Sequence, residues 1–234
     1  WYSLSQSIPN VNKGDEKMNI FALSKCPKES AQQMIDKHVI KMPTETCQML
    51  HTNILYLNYL QQYGEEPQLK DLKAFHQEIG SELMKPAMLN HPSTIWARQS
   101  LANFDWLYEH GLALCREYTY RYDKRHGSHD RIINGMKLLE ENASFGFLHS
   151  ELTPVTIAMD DSYRIENTFD DEWEFVIESY RHYYLEGKWE FAEWKKDRRP
   201  EWFPANWFAV KHNRYARAYN AAKPRRYPLP LMEE

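Results

Sequence analysis

Lys37, His38, Lys41 and Glu45 fall within one short stretch, Asp36-Lys-His-Val-Ile-Lys-Met-Pro-Thr-Glu45. Lys37, Lys41 and Glu45 are spaced by four, which sets two ammonium groups and a carboxylate in a row along one side of a helix. A carboxylate beside lysines and an imidazole suits general acid–base work or the stabilisation of a cationic intermediate, and a lysine can serve as an amine nucleophile. Asp36 is placed to orient His38 or to cap a helix break. The same spacing also describes an ordinary amphipathic helix with an i,i+4 Lys–Glu pair. Ile35, Val39, Met42, Thr46, Met49 and Leu50 recur at steps of three and four, so the charged row runs beside a core face. Charge held there costs solvation unless something uses it.

The elements that position this row are mostly helical, because 3.6-residue periods recur and strand-like alternation is rare. The spacing predicts a first helix from about Lys28 to Lys41 and a second, started by Pro43, to about Tyr63. That junction puts Glu45 in a first turn, where the helix dipole favours an anion. A polar helix follows from about Leu69 to Lys85, then an irregular loop from Pro86 to Pro92. One long helix is expected after Thr94, carrying Leu101, Phe104, Tyr108, Gly111, Cys115, Tyr118 and Tyr122 on a stripe, and ending in a charged loop, Asp123 to Asp130. Residues 142–170 read as loop with short helical turns, and Asp170 to Glu186 as helix. The fold class is all-α: a single compact helical domain over residues 18–234, with long loops and an aromatic, basic C-terminal segment. Residues 1–17 are polar and unpatterned, and are expected to be a disordered extension or a remnant foreign to the native protein.

Two further groups bear chemistry. Arg198-Arg-Pro-Glu-Trp202-Phe-Pro-Ala-Asn-Trp207-Phe combines guanidinium groups, which pair with phosphates, and flat rings, which stack on exposed bases. From Lys195 to Arg226 ten lysines and arginines face only Asp197 and Glu201, while residues 140–178 are acid-rich and the whole chain carries −4. A polyanion contact localised to the C-terminal part fits that asymmetry. In Asn90-His91-Pro-Ser-Thr-Ile-Trp-Ala-Arg98, Ser93 or Thr94 can cap a helix whose N-terminal amides and Arg98 make an anion site. Lys37, His91, Arg98, Arg198, Arg199, Trp202 and Trp207 are the candidate residues for contacts with a nucleic acid.

Other classes lack support. Three cysteines without a CxxC pair, with Cys47 and Cys115 on apolar stripes, read as buried reduced thiols and fit a cytoplasmic setting. No metal-ligand spacing emerges from the ten histidines, so no metal or other cofactor is expected. There is no signal-peptide pattern, and no apolar run near the roughly eighteen residues a membrane span needs. GxSxG, P-loop and GxGxxG motifs are absent.

Asp36-Lys-His38 with Glu45 nine residues on, then Asn90-His91-Pro92 with Trp96, then Arg199-Pro-Glu-Trp202-Phe203, resembles the pyrimidine dimer DNA glycosylases, the endonuclease V-type repair enzymes of phages and their bacterial relatives. The order of the three segments matches over about residues 18–208. The resemblance implies a compact all-α protein that binds duplex DNA as a monomer, kinks it and displaces a base. It also implies that Glu45 is the catalytic carboxylate, with Lys41 and His38 beside it, and that Arg199 to Phe203 lie on the DNA. The phage enzymes attack the sugar C1′ with the α-amine of a threonine exposed by removal of the initiator Met. Met18-Asn19 offers no such residue, so the amine nucleophile is either missing or another group, with Lys41 and Lys37 the candidates. Inserts at about 63–88 and 123–170 suggest a different lesion or a modified base. The leading expectation is a DNA N-glycosylase, with or without AP-lyase activity, acting on a damaged or modified pyrimidine. The alternatives are group transfer to a pyrimidine base in DNA and non-catalytic DNA binding.

Overall fold

A buried arginine decides where the first helices divide. In the computed structural model α1 (Pro27–Gln33) begins on a proline, which suits a first turn. It ends at Met34 and Ile35, both extended, with ψ of 143° and 154°. α2 (Asp36–Tyr63) begins immediately after them. Arg121 lies near the end of α5 (Leu101–Tyr122). Its guanidinium donates to the Gln32 and Met34 carbonyls, both at 2.8 Å, and to the Asp36 carboxylate at 2.9 Å. Its Nε pairs with Glu117 at 2.8 Å, and the whole side chain is 0% exposed. These bonds cap the carbonyl end of α1 and fix the break.

The break expected at Pro43 is thus found earlier, and Pro43 sits buried inside α2. An interior proline forfeits one hydrogen bond and crowds the preceding turn, at a cost of about 3 kcal/mol. The unbroken apolar face around it outweighs that cost, since each large side chain fully buried contributes roughly 1.5–3 kcal/mol. Ile35, Val39, Met42, Thr46, Met49 and Leu50 are all buried, as their spacing predicts. Glu45 consequently lies in about the third turn of α2 and owes nothing to the helix dipole, which fades after the first turn.

The structure describes residues 19–141, 147, 149–222 and 228–233. The expectation for residues 1–17, part of the 142–170 loop, and Lys223, Arg225 and Arg226 of the basic run lie outside the described residues. The described residues form eight α-helices and no strand, in keeping with the all-α expectation. α2 packs against α3 (Leu69–Glu78), α4 (Pro92–Gln99), α5 and α6 (His129–Glu141), and α1 packs on α5. The helix expected to run unbroken from Thr94 divides at Ser100, which is extended (φ −144°, ψ 156°) and whose hydroxyl accepts the Asn103 N–H at 3.0 Å. α3 stops seven residues short of the expected Lys85, and α6 begins within the charged stretch where the sequence suggested only loop. α7 (Glu172–Gly187) and α8 (Trp207–Ala222) complete the order.

α2 and α5 approach most closely at Gly111, where an added Cβ would meet Thr46 Cγ2 at 2.7 Å and Ile132 Cδ1 at 3.1 Å. Thr46 is β-branched and buried, so it has little room to turn away. Gly111→Ala is expected to lower stability by about 1 kcal/mol, because overpacking outweighs the roughly 1 kcal/mol gain in helix propensity. A higher urea midpoint for this variant would show that the two helices can separate freely.

Candidate active site

Glu45 and Lys41 project one helical turn apart from the same side of α2. Lys41 Nζ lies 3.0 Å from Glu45 Oε1, with the side chains 40% and 15% exposed. The other carboxylate oxygen, Oε2, accepts the main-chain N–H of Asn19 at 3.3 Å. The carboxylate is therefore held between an ammonium group and a peptide N–H, with one edge still open to solvent.

The segment 19–23 that supplies this N–H is tied from several directions. Asn19 Nδ2 donates to the Ala158 carbonyl at 2.6 Å, and its Oδ1 accepts from the Tyr180 hydroxyl at 2.8 Å and the Ile20 N–H at 2.7 Å. Ser30 Oγ accepts from Leu23 N at 3.1 Å and donates to Phe21 O at 3.3 Å. Phe21 is held at φ +52°, a left-handed conformation costly for a non-glycine residue and recurrent near functional sites. Its ring stacks on His38 at 4.2 Å, which compensates part of that cost.

His38 is buried behind the Lys41–Glu45 pair rather than beside it in solvent, with Nδ1 2.7 Å from the Tyr184 hydroxyl. Burial, then the charges of Lys188, Lys41 and Lys37, hold its pKa well below the ordinary imidazole value. It is thus neutral, and its contacts are those of a positioning group. Lys37 Nζ sits over the Phe191 ring at 4.3 Å, and nearly buried Lys188 faces Tyr183 at 4.9 Å and Phe191 at 5.7 Å. Three ammonium groups therefore surround His38, which makes this end of α2 electropositive. Asn19, Tyr180 and Lys188 escaped the sequence reading. Only the position of Asn19 at the head of the matched-looking segment hinted at a role.

The remaining expected residues each have protein partners other than Lys41 and Glu45. The Arg98 guanidinium stacks on Tyr56 at 4.5 Å and donates to the Leu89 carbonyl at 2.7 Å. Tyr56 lies eleven residues beyond Glu45 on α2, roughly 16 Å along the axis. His91 caps α4, its Nδ1 accepting the Ser93 N–H at 3.2 Å. Arg198 pairs with buried Glu117 at 3.0 Å and lies over Tyr120, so its charge is compensated. Arg199 is exposed and donates to the Phe203 carbonyl at 3.0 Å. Trp202 and Trp207 are half-buried, and their indole N–H groups donate to Gln33 Oε1 and to the Leu185 carbonyl, both at 2.8 Å. A hollow of about 660 Å³ beside Phe75 and Leu83, and another of about 380 Å³ beside Trp194 and Arg199, are not lined by Lys41 or Glu45. The pair is reached from solvent chiefly at Lys41, whose side chain is 40% exposed against 15% for Glu45.

Among the described residues no three His, Cys, Asp or Glu side chains gather as a metal ion needs, and no described helix is long and apolar enough to cross a membrane. Cys47 and Cys115 are buried, and burial pushes both thiols up to about 12, so neither is a nucleophile at neutral pH. His110 is also buried. Its Nδ1 lies 2.9 Å from the Pro27 carbonyl, and burial lowers its pKa to about 4. Between about pH 4 and 6.5 the unfolded chain binds the proton and the folded chain does not, so stability falls as the pH falls. His110 alone is expected to remove about 2 kcal/mol between pH 7 and pH 5. Urea unfolding at the two pH values measures this, and His110→Gln is expected to flatten the slope. Equal stability at both would mean that the ring protonates in place.

Residues 18–130 match the family model described as pyrimidine dimer DNA glycosylase. The matched segment includes Asp36 to Glu45 and Asn90 to Trp96 and stops before Arg199 to Phe203. No curated protein and no solved structure matches the chain.

Proposed function

We propose, from the match of residues 18–130 to the pyrimidine dimer DNA glycosylase family model, that the chain excises a damaged or modified pyrimidine from duplex DNA with Lys41 and Glu45 as its reacting groups. The observation that carries this reading is the 3.0 Å contact between Lys41 Nζ and Glu45 Oε1 on an open face within the matched segment. With Met18 ahead of it, the Asn19 nitrogen is an amide, a hydrogen-bond donor to Glu45 and no nucleophile. The amine within reach of the carboxylate is Lys41.

The steps follow from that contact. Glu45 takes a proton from the Lys41 ammonium, and the amine attacks the sugar C1′. The N–C1′ bond forms as the C1′–base bond breaks, and Glu45 gives its proton to the departing base, which returns it to the carboxylate form. Opening of the sugar ring gives a Schiff base. Glu45 then removes a C2′ proton, and the electron pair expels the 3′ phosphate oxygen, cutting the strand. Reaching C1′ requires the base to leave the stack, which costs a few kcal/mol and least at a lesion. Arg98 and Arg199 would hold phosphates on either side of the pair, and the half-exposed rings of Trp202 and Trp207 would stack in the gap, at roughly 1–3 kcal/mol per base.

Incubation with duplexes bearing a cyclobutane dimer, an abasic site or a modified pyrimidine, with and without borohydride, tests this. Strand scission with a trapped adduct mapping to Lys41 is expected, and Lys41→Gln is expected to lower adduct yield at least a hundredfold while duplex affinity changes less than threefold. An adduct that survives Lys41→Gln would put the amine elsewhere. Duplex binding with no product from any substrate would overturn the enzymatic reading.

A further inference from the structure

Residues 228–233 run back along α8, where the contacts have an unusual form. Asn213 Nδ2 donates to the Met232 carbonyl at 2.9 Å while its Oδ1 accepts the Met232 N–H at 2.7 Å. Asn220 does the same to Leu229, at 3.0 Å and 2.9 Å. Between them His212 Nε2 donates to the Pro230 carbonyl at 3.1 Å. A side-chain amide has one acceptor and one donor group side by side, the complement of one residue's N–H and C=O.

The spacing is matched on both sides. Asn213 and Asn220 are seven residues apart on a helix, about 10.5 Å. Leu229 and Met232 are three apart, about 9.3 Å in a polyproline II strand. Pro228 and Pro230 favour that extended conformation. Asn213 and Ala216 are the buried residues of α8, and Ala216, having only a methyl group, lets the strap's backbone come close. In the strap Leu231 is 54% and Met232 45% exposed, while Leu229 is half-buried. The face therefore reads main chain and conformation rather than particular side chains, as in other modes of extended-peptide recognition.

We propose that this asparagine face of α8 is a binding site for an extended, proline-spaced peptide segment of a partner protein, and that residues 228–233 are a tethered stand-in occupying it. The tether gives the strap an effective concentration near millimolar, so a free peptide at micromolar concentration competes poorly with it. Disabling the strap uncovers the site. Leu229→Pro with Met232→Pro in the full chain removes the two N–H groups that the asparagines accept from, while leaving α8 intact.

A fluorescein-labelled peptide with the sequence of residues 227–234 is the probe, followed by fluorescence anisotropy. The doubly substituted chain is expected to bind it at least tenfold more tightly than the unaltered chain. Adding Asn213→Ala and Asn220→Ala is expected to return affinity to the unaltered level, with the helical circular dichroism unchanged. A peptide carrying the same two prolines is expected not to bind. Equal affinity of the two full chains for the probe, or binding that survives loss of both asparagines, would overturn the proposal. So would a dimer of the unaltered chain in sedimentation that dissociates on Leu229→Pro with Met232→Pro, because the occupant would then be a second copy.

Discussion

Glu45→Gln is expected to lower base release and strand scission by roughly 10²–10⁴-fold, the range associated with one positioned proton-transfer group. The amide keeps an acceptor for the Asn19 N–H and the size of the side chain, so the fold and duplex binding should persist. It loses the negative charge that holds Lys41 at 3.0 Å and, in the proposed mechanism, the base that takes protons from it and from C2′. Single-turnover assays on dimer-containing duplex separate chemistry from binding. Full activity in Glu45→Gln would remove the carboxylate from the mechanism and leave Lys41 with another base.

The largest stability effect is expected at Arg121→Met. Asp36 and Glu117 are left with side-chain exposures of 11% and 3%, and the carbonyls of Gln32 and Met34 lose their donor. Removing one member of a buried ionic group typically costs about 3–5 kcal/mol, because the charges left behind are uncompensated. Arg198 still reaches Glu117, which places the expectation near the lower end. Arg121→Met combined with Asp36→Asn and Glu117→Gln should regain part of the loss. A single-variant loss under about 1 kcal/mol, by urea unfolding at pH 7, would show the network to be solvated in solution.

That network also explains which parts of the molecule were legible in the sequence. The face from Ile35 to Leu50 was, because its period is local, and so was the i,i+4 approach of Lys41 to Glu45. The break between α1 and α2 was not, because a residue far along the chain sets it: Arg121 supplies donors at Met34 that no neighbour could. Pro43 therefore looked like the only available stop. Ser100 was misplaced for a related reason, since a serine that caps a helix and one on its exposed face are the same letter until Asn103 turns toward it. The clamp on Asn19 joins residues 139 and 161 positions apart in the chain and leaves no periodic trace.

Asn19 and His38 are held by Ala158, Tyr180 and Tyr184, all of which lie outside the stretch that matches the family. The proposed reacting groups and their scaffolding thus lie in different parts of the chain. The matched half can keep Lys41 and Glu45 fixed in identity while the other half drifts, provided a tyrosine hydroxyl and a carbonyl still arrive at Asn19. Among related chains, substitutions at position 19 should therefore be accompanied by changes at 180 rather than at neighbours in sequence. The tyrosines of α7 and the Ala158 carbonyl before it thus reach Lys41 and Glu45 through Asn19 and His38.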